Sequence, residues 1–303
     1  MAVMTRTNFS KFLYPGISDH YGRAYAEHST EYTDLFNTES SSRAFEEDVQ
    51  ITGMGLARVK NEGGPIEFDE ERQGYVTRYS HVVYGLGFVI TREMVEDDLY
   101  DVIGKRRSEA LAFSMRQTKE IVAANVYNRA FNSSYTGGDG VSLLNTAHPR
   151  FSTNGTWSNK LSTDSDLAED ALEQACIDIM KFTNDRDLKI AVKPVSLHIP
   201  VDLIYEAERI LKGTYRVGTA DNDLNALKAM GHMQKVVPNH YFTDTNAWFI
   251  RTNIPHGMKH FERRGMEFTD DSDFDSENAK YKATERYSFG WTDPRSLYGT
   301  SGG

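Results

Sequence analysis

Three aspartates in a short acidic segment have the spacing of the first ligands in a calcium-binding loop. Asp271, Asp273 and Asp275 alternate in "DDSDFDSEN", and a calcium loop places carboxylate oxygens at such alternate positions around the ion. The pattern then departs from that loop, because Ser276 replaces the glycine of the sixth position and Lys282 replaces the bidentate glutamate of the twelfth. We therefore predict a solvated turn between two strands, and no metal site.

The histidines, the cysteine and the glycine pairs indicate no other chemistry. His256 and His260 lie close in sequence but lack the companion glutamate of a zinc hydrolase. Cys176 lies in an apolar helical stripe, which is typical of a buried hydrophobe and not of a nucleophile. The glycine pairs at 53–55 and 85–87 lack a GK[ST] or GxGxxG continuation and suit strand flexure better than phosphate binding. We predict no catalytic residues, no metal, no cofactor and no enzymatic activity.

Composition excludes several further classes of protein. The chain has 303 residues, of which 39% are hydrophobic and 12% aromatic, so a substantial core is expected and wholesale disorder is not. The formal net charge of −10 argues against a non-specific grip on nucleic acid and against adhesion to anionic membranes. The single cysteine excludes a disulfide framework. The chain has no apolar run of membrane-spanning length and no secretion signal, so we expect no membrane and no export.

The first half of the chain predicts an arm, a hairpin and a long helix. Residues 1–50 mix polar residues with scattered aromatics without a sustained period, which predicts an extended arm on a neighbouring copy or on its own domain. Residues 51–90 predict a β-hairpin in which neither face is clearly apolar, so it is expected to lie on a partner. The long helix is predicted to begin at Lys105, after a break at Gly104, and to form a rod of roughly 40 Å. Its predicted apolar stripe consists of Ala110, Leu111, Ser114, Thr118, Ile121, Val122 and Asn125.

The second half mixes helices and strands without a βαβ repeat, which predicts an α+β fold. After a glycine- and serine-rich loop, a second helix is expected, capped by Asp164 or Asp166. Its predicted stripe consists of Ala168, Ala171, Leu172, Ala175, Cys176, Ile179 and Met180. The segments expected to follow are a strand "KPVSLHIP", a helix "VDLIYEAERILKG", and strands "QKVVP", "NAWFIRTN", "MKHFERRGMEFT" and "KYKATERYSFGW". In the last strand Tyr287, Phe289 and Trp291 share one face and must be buried against another element.

Two motifs resemble those of a known family. The segment "GMKHFERRGMEFTDDSDFDSENAKYKATERYSFGWTDPRSLYGT" closely resembles the closing segment of tailed-bacteriophage major capsid proteins, particularly the Mu-like major head subunits. "LLNTAHPRF" at 143–151 resembles the mid-chain signature of that family. The order of the predicted elements agrees as well, so the resemblance spans essentially the whole chain.

The resemblance implies the tailed-bacteriophage major capsid protein fold and its domains. The implied division is an N-terminal arm at 1–50, an extended β-hairpin loop at 51–90, a peripheral domain with a spine helix at 91–184, an axial domain at 185–260, and closing strands of the peripheral domain at 261–303. The aromatic face of the last strand, including Trp291, would then be buried on the spine helix. Arm and hairpin would stabilise the assembly more than the subunit, so a chain lacking residues 1–45 would still fold.

The implied function is mechanical. Copies would self-associate into hexamers and pentamers and form an icosahedral shell around packaged phage DNA, which is enclosed without specific binding. Scaffolding, portal and decoration proteins are the further partners expected. Only about 50 residues precede the extended loop, so scaffolding is either a separate protein or a segment already removed, and Met1 favours a separate protein. The protein would belong to the virion and assemble in the host bacterial cytoplasm. The alternatives are the shell of a bacterial nanocompartment with the same fold, and a soluble α+β hydrolase.

Some relatives join neighbouring subunits by an isopeptide bond between a lysine on the extended loop and an asparagine, with a glutamate as base. Lys60 is the only lysine between Lys11 and Lys105 and is the one candidate donor. The reaction needs a buried, neutral amine, whereas "RVKNEGGP" around Lys60 is typical of a solvated turn. No asparagine can be matched to the acceptor; Asn278 lies in the right third of the chain but within the acidic loop.

We therefore predict a non-covalent shell. Mature particles boiled in detergent should run as one band near the chain mass of 34.3 kDa on a denaturing gel. A ladder of multimers that disappears in Lys60→Ala would contradict this prediction.

Overall fold

The computed structural model describes residues 10–96, 100–216, 223–233, 235–255, 257–272 and 278–303. Its helices are α1 (Ser10–Glu27), α2 (Tyr32–Leu35), α3 (Arg92–Glu96), α4 (Tyr100–Asn128), α5 (Glu169–Met180), α6 (Ile204–Lys212) and α7 (Ala226–Met230). Its strands are β1 (Asn37–Ser40), β2 (Phe45–Thr52), β3 (Arg72–Ser80), β4 (Val82–Ile90), β5 (His148–Pro149), β6 (Thr156–Trp157), β7 (Pro194–Pro200), β8 (Lys235–Asn239), β9 (Trp248–Thr252), β10 (Met258–Ser272), β11 (Ala279–Trp291) and β12 (Leu297–Thr300).

Two four-stranded sheets organise the molecule. The first has the order β1-β10-β11-β4, with β1 parallel to β10 and the other pairs antiparallel. The second has the order β12-β9-β7-β8, with β7 parallel to β8 and the other pairs antiparallel. Helices pack on both sheets, and over the described ranges the elements do not follow a repeated βαβ order, which confirms the α+β class predicted from the sequence.

The long helix α4 is the spine of the first sheet, but it differs from the predicted helix in two ways. Gly104 lies inside it and does not break it, because one interior glycine costs only about 1 kcal/mol and tertiary packing outweighs that. The helix is therefore about 44 Å long. The predicted stripe is wrong apart from Leu111, since the buried face also carries Lys119 and Glu120, whose charges hide it from a search for apolar periodicity. The buried side chains of this face are Ser108, Leu111, Ala112, Met115, Lys119, Glu120, Ala123, Ala124 and Tyr127.

The N-terminal segment is not an extended arm over its described part. Residues 10–27 form α1, and its residues Tyr21 and Ala24 are buried with Met115 and Phe268 of the same subunit. The sequence held a signal for this helix that the prediction missed, because Tyr21, Ala24, Tyr25 and His28 recur at helical spacing. Of the two placements left open for the segment, the own-domain placement is observed for residues 18–36, and residues 1–9 lie outside the described part of the chain.

The observed strand pairing also places the hairpin at different residues from those predicted. Strands β2 and β3 pair antiparallel and form a hairpin over residues 45–80, whereas β4, predicted as a continuation of the hairpin, pairs with β11 in the first sheet. His81 separates β3 from β4, and its two ring nitrogens lie 3.0 Å from the Ser288 hydroxyl and 3.1 Å from the Ser41 hydroxyl. The chain leaves the hairpin at His81 because these hydrogen bonds anchor that ring to β11 through Ser288 and to the end of β1 through Ser41.

Most elements of the second half lie where they were predicted. Strands β7 to β11 and helix α6 coincide with the predicted segments, and the α5 stripe, including Cys176, is buried apart from its two ends. The predicted cap is wrong, because α5 begins after Ala168, whose side chain makes no capping bond. Asp164 instead accepts hydrogen bonds from Lys160 and Thr300.

The acidic segment connects β10 and β11, which are strands, as predicted for its flanks. His256, Asp273, Asp275 and Ser276 lie outside the described residues.

The aromatic face of β11 packs on the spine helix. Tyr287 is buried, and Phe289 and Trp291 are partly buried in a cluster that includes Ala123 and Tyr127 of α4. Trp291 packs on the spine helix as predicted but is only partly buried, because its ring lines an open groove beside α4. The aromatic strand is also not the last element of the chain, since β12 follows and pairs with β9 in the second sheet.

Substitution of Phe36 by alanine tests whether the N-terminal segment belongs to the core of its own subunit. The Phe36 ring is 2% exposed and packs edge-on against Tyr127 and Phe289. Replacement by alanine should lower the free energy of unfolding of the unassembled subunit by about 3–5 kcal/mol, because a large apolar side chain is removed from a packed site. Urea unfolding of the subunit measures the change. An unchanged midpoint would contradict this packing and restore the expectation that residues 1–45 are dispensable for folding.

Candidate functional site

The hairpin formed by β2 and β3 exposes an unusual number of apolar side chains. Residues 53–71 connect its two strands, and within this loop Val59 is 93% exposed and Phe68 is 97% exposed. The exposed apolar residues of the whole hairpin are Phe45, Ile51, Met54, Leu56, Val59, Ile66, Phe68 and Val76. Large exposed apolar patches mark interaction surfaces. The candidate functional site is therefore a surface for another protein chain.

A buried lysine anchors the root of this hairpin. Lys259 of β10 is 5% exposed, and its ammonium lies 2.6 Å from the Asp48 carboxylate of β2 and 3.5 Å from that of Glu39. The Thr292 hydroxyl donates to the same Asp48 carboxylate at 2.6 Å, and the Tyr79 hydroxyl lies 2.8 Å from that of Thr292. Both strands of the hairpin are thus attached to the first sheet, which fixes the direction in which the hairpin leaves the subunit.

The close approach of β3 to the sheet requires a glycine in β11. A Cβ atom at Gly290 would lie 2.8 Å from the ring of Tyr79, closer than real Cβ contacts allow. Gly290 therefore leaves room for the Tyr79 ring beside β11, where the Tyr79 hydroxyl reaches that of Thr292. The glycine inside the aromatic strand therefore positions the hairpin root.

A second buried lysine lies beneath this root. Lys119 of α4 is 3% exposed, and its ammonium lies 3.5 Å from Glu285 and 3.6 Å from Glu262, which belong to β11 and β10. The same ammonium lies 5.0 Å and 5.1 Å from the ring centroids of Tyr32 and Tyr287, a cation–π arrangement. Removing either charge of such a buried pair leaves the other uncompensated, so the cluster fixes the spine helix on the sheet.

The neighbouring Glu120 holds the short helix α2 against the spine. Its carboxylate accepts hydrogen bonds from the backbone N–H groups of Glu31 at 3.1 Å and Tyr32 at 2.8 Å. Burial raises the pKa of Glu120, an effect that these two hydrogen bonds oppose. A carboxylate at this helix end satisfies backbone donors that would otherwise be unpaired.

The mid-chain segment 143–151 forms a buried polar junction. The imidazole of His148 lies 2.6 Å from the Asp139 carboxylate through Nδ1 and 2.9 Å from the Asn159 amide oxygen through Nε2. The Asn159 amide nitrogen in turn donates to the backbone carbonyls of Leu143 and Leu297. The junction therefore joins the long loop to the start of β12.

The His148 junction and Cys176 make hydrogen-bond and packing contacts within the subunit. The His148–Asp139 pair has the form of a base with its orienting carboxylate, but the second ring nitrogen faces an amide and no hydroxyl or thiol nucleophile. Burial raises the pKa of the Cys176 thiol to about 11, so that side chain is not a thiolate at neutral pH. Lys60 is exposed in the hairpin loop.

Among the residues that the structure describes, no three His, Cys, Asp or Glu side chains are grouped so as to hold a metal ion. No helix in the same part of the chain has the length and apolarity needed to cross a membrane.

The family model described as phage capsid protein matches residues 74–299. The chain belongs to the phage capsid protein family. The match contains the spine helix, most of the return strand of the hairpin, the first sheet apart from β1, and the second sheet apart from the last residue of β12. No curated protein matches this capsid protein.

Solved structures share the fold of this capsid protein at low identity. The procapsid of bacteriophage JBD30 is 13% identical, with a TM-score of 0.53 over 98% of this chain and 76% of that chain. The capsid of a native GTA particle is 13% identical, with a TM-score of 0.55 over 89% of each chain. A structure from Microbacterium phage Oxtober96 is 9% identical, with a TM-score of 0.54 over 91% of this chain and 92% of that one. These likenesses confirm the predicted fold, whereas the Mu-like assignment stays a prediction.

His260 makes the stability of this capsid protein depend on pH. Its ring is stacked on Phe289 at 4.3 Å, and burial, with a smaller contribution from Lys119, lowers its pKa from 6.5 to about 3. Below pH 6.5 the His260 side chain is therefore protonated in the unfolded chain but stays neutral in the folded chain. The free energy of unfolding should fall by up to about 1.4 kcal/mol per pH unit from this group.

The variant His260→Phe keeps the stacked ring and removes the titration. Urea unfolding of the unassembled subunit between about pH 7.5 and 5 should show a shallower loss of stability in the variant than in the wild type. His198, whose pKa is lowered to about 3 by burial in the same way, remains in both proteins, so it cancels from the comparison. Identical slopes would show that His260 is not kept neutral by its surroundings.

Proposed function

We propose that this chain is the major head subunit of a tailed bacteriophage, and that its copies form hexamers and pentamers that close into an icosahedral shell around packaged DNA. The single observation that carries the proposal is the hairpin at 45–80. Its root is fixed by buried charges, while its loop exposes apolar side chains such as Val59 and Phe68. Such a projection is unfavourable in an isolated protein and is stabilised when another copy covers it.

The two-sheet architecture supports a division of the subunit into a peripheral and an axial domain. We assign the peripheral domain to the spine helix and the first sheet, with 261–291 as its closing strands, and the axial domain to the second sheet, which β12 completes. Exposed apolar side chains also mark the surface of the latter, among them Tyr205, Leu224 and Met230. They suit contacts between axial domains around the centre of a capsomer.

The acidic composition suits a DNA container. A net charge of −10 gives the wall no general attraction for phosphates, so DNA is enclosed without being held tightly. We further propose that scaffolding, portal and decoration proteins are separate partners and that the shell assembles in the host bacterial cytoplasm. We assign no enzymatic activity to the chain.

Negative-stain microscopy of concentrated, purified protein tests this function directly. Closed shells of uniform size support it, and a monodisperse small species under all assembly conditions overturns it. The contents of shells isolated from infected cells distinguish the two kinds of container. Packaged DNA identifies a phage head, whereas a cargo enzyme identifies a nanocompartment.

Phe68→Ala separates assembly from folding. Because Phe68 is 97% exposed, its truncation should change the free energy of unfolding of the subunit by less than about 0.5 kcal/mol. The yield of closed shells, counted by microscopy at a fixed subunit concentration, should fall severalfold. Phe36→Ala is the matched control, since it removes the same side chain from the core and should lower subunit stability instead. Normal shell yield from Phe68→Ala would remove the hairpin loop from the interface.

A further inference from the structure

Two buried arginines hold a surface loop at residues 183–187 in one conformation. The Arg295 guanidinium donates to the Thr183 carbonyl at 3.0 Å and to the Asp185 carboxylate at 2.9 Å. The Arg150 guanidinium donates to the Thr183 hydroxyl at 2.8 Å and to the carbonyl of the following residue, also at 2.8 Å. Because both arginines are at least nine-tenths buried, the loop is a rigid bracket on the body of the subunit.

Arg186 extends from this bracket to the hairpin loop. Its guanidinium donates to the Asp69 carboxylate and, at 2.6 Å, to the Glu70 carbonyl. The backbone N–H of Gly55, on the opposite limb of the hairpin loop, donates to the same Asp69 carboxylate at 2.7 Å. A Cβ atom at Gly55 would lie 3.0 Å from that carboxylate and 3.3 Å from the guanidinium, so a larger residue would crowd the junction. The Arg186–Asp69 contact thus connects both limbs of the hairpin loop to the bracket.

The two attachments of the hairpin differ in strength. The root is held by Lys259, whose ammonium is buried, whereas the Arg186–Asp69 pair is solvent-accessible, with side-chain exposures of 22% and 46%. Exposed ion pairs are weakened by salt and change an equilibrium by only about fivefold. The loop can therefore leave the bracket while the root stays in place.

We propose that Asp69 and Arg186 form a releasable latch, which holds the hairpin loop on its own subunit until the loop engages a second copy. This inference rests on the proposed function, because the loop carries the exposed Val59 and Phe68 that the second copy covers. A latched loop presents these side chains in one orientation and resists being drawn onto a neighbour. Opening the latch should therefore favour assembly.

Hydrogen exchange of the unassembled subunit at low salt measures the latch by itself. In Arg186→Ala and in Asp69→Asn, amides of residues 53–71 should exchange about three- to fivefold faster than in the wild type. Asp69→Asn keeps an oxygen that can accept from Gly55, so it isolates the charge. The double variant should exchange no faster than either single variant, because the two side chains act as one pair.

Arg58→Ala is the matched control. Arg58 and Glu67 form an exposed ion pair within the same loop, at 3.1 Å, that does not touch the bracket. Its loss should leave exchange at 53–71 within error of the wild type. Unfolding of all variants by urea should be unchanged, since the backbone N–H of Arg186 still donates to the Asn184 side chain.

Light scattering then follows assembly. Both latch variants should form shells faster than the wild type at low salt, and the difference should disappear at high salt. Unchanged exchange at 53–71 in Arg186→Ala, additive effects in the double variant, or slower assembly of the latch variants would each overturn the latch. If the wild-type protein forms no shells, the proposed function fails, and the exchange measurements on the subunit still decide whether the latch exists.

Discussion

The structure depends on a buried ammonium group at the middle of the spine helix. Lys119 lies between carboxylates of the two longest strands, Glu262 and Glu285, and beneath the rings of Tyr32 and Tyr287. It thereby joins α4, β10, β11 and the N-terminal segment at one point. A buried ion pair contributes little net stability compared with well-packed apolar groups, but a half-broken one is strongly unfavourable. The cluster therefore selects one register of the helix on the sheet.

The Lys119 cluster also determines the direction in which the hairpin leaves the subunit. Because β10 is fixed on the spine, Lys259 of that strand is fixed too, and it holds Asp48 at the root of the hairpin. Tyr79 reaches the end of β11 only because Gly290 leaves room for its ring. A rigid root and an exposed apolar loop are what a shell subunit requires, since each copy must reach its neighbour in a defined direction and still adapt to several environments.

The end of the chain couples the two sheets. After β11 completes the first sheet, β12 pairs with β9 in the second, and its Tyr298 is buried in the core of that sheet. Asn159 bridges the long loop to this return through three backbone carbonyls. The C-terminal segment therefore joins the two sheets, and the two motifs that carry the family resemblance meet at this junction.

The sequence by itself determined the α+β class, most strands and helices of the second half, the burial of Cys176, the packing of the aromatic strand on the spine, and the family. These follow from local periodicity and from contiguous motifs, which a single segment can display. Only the tertiary structure decided the buried face of α4, the pairing of β4 with β11, and the attachment of the N-terminal helix to its own subunit. The physical reason is that charges such as Lys119 and Glu120 are buried by partners distant in the chain, and neither these partners nor strand neighbours leave a periodic signal in the sequence.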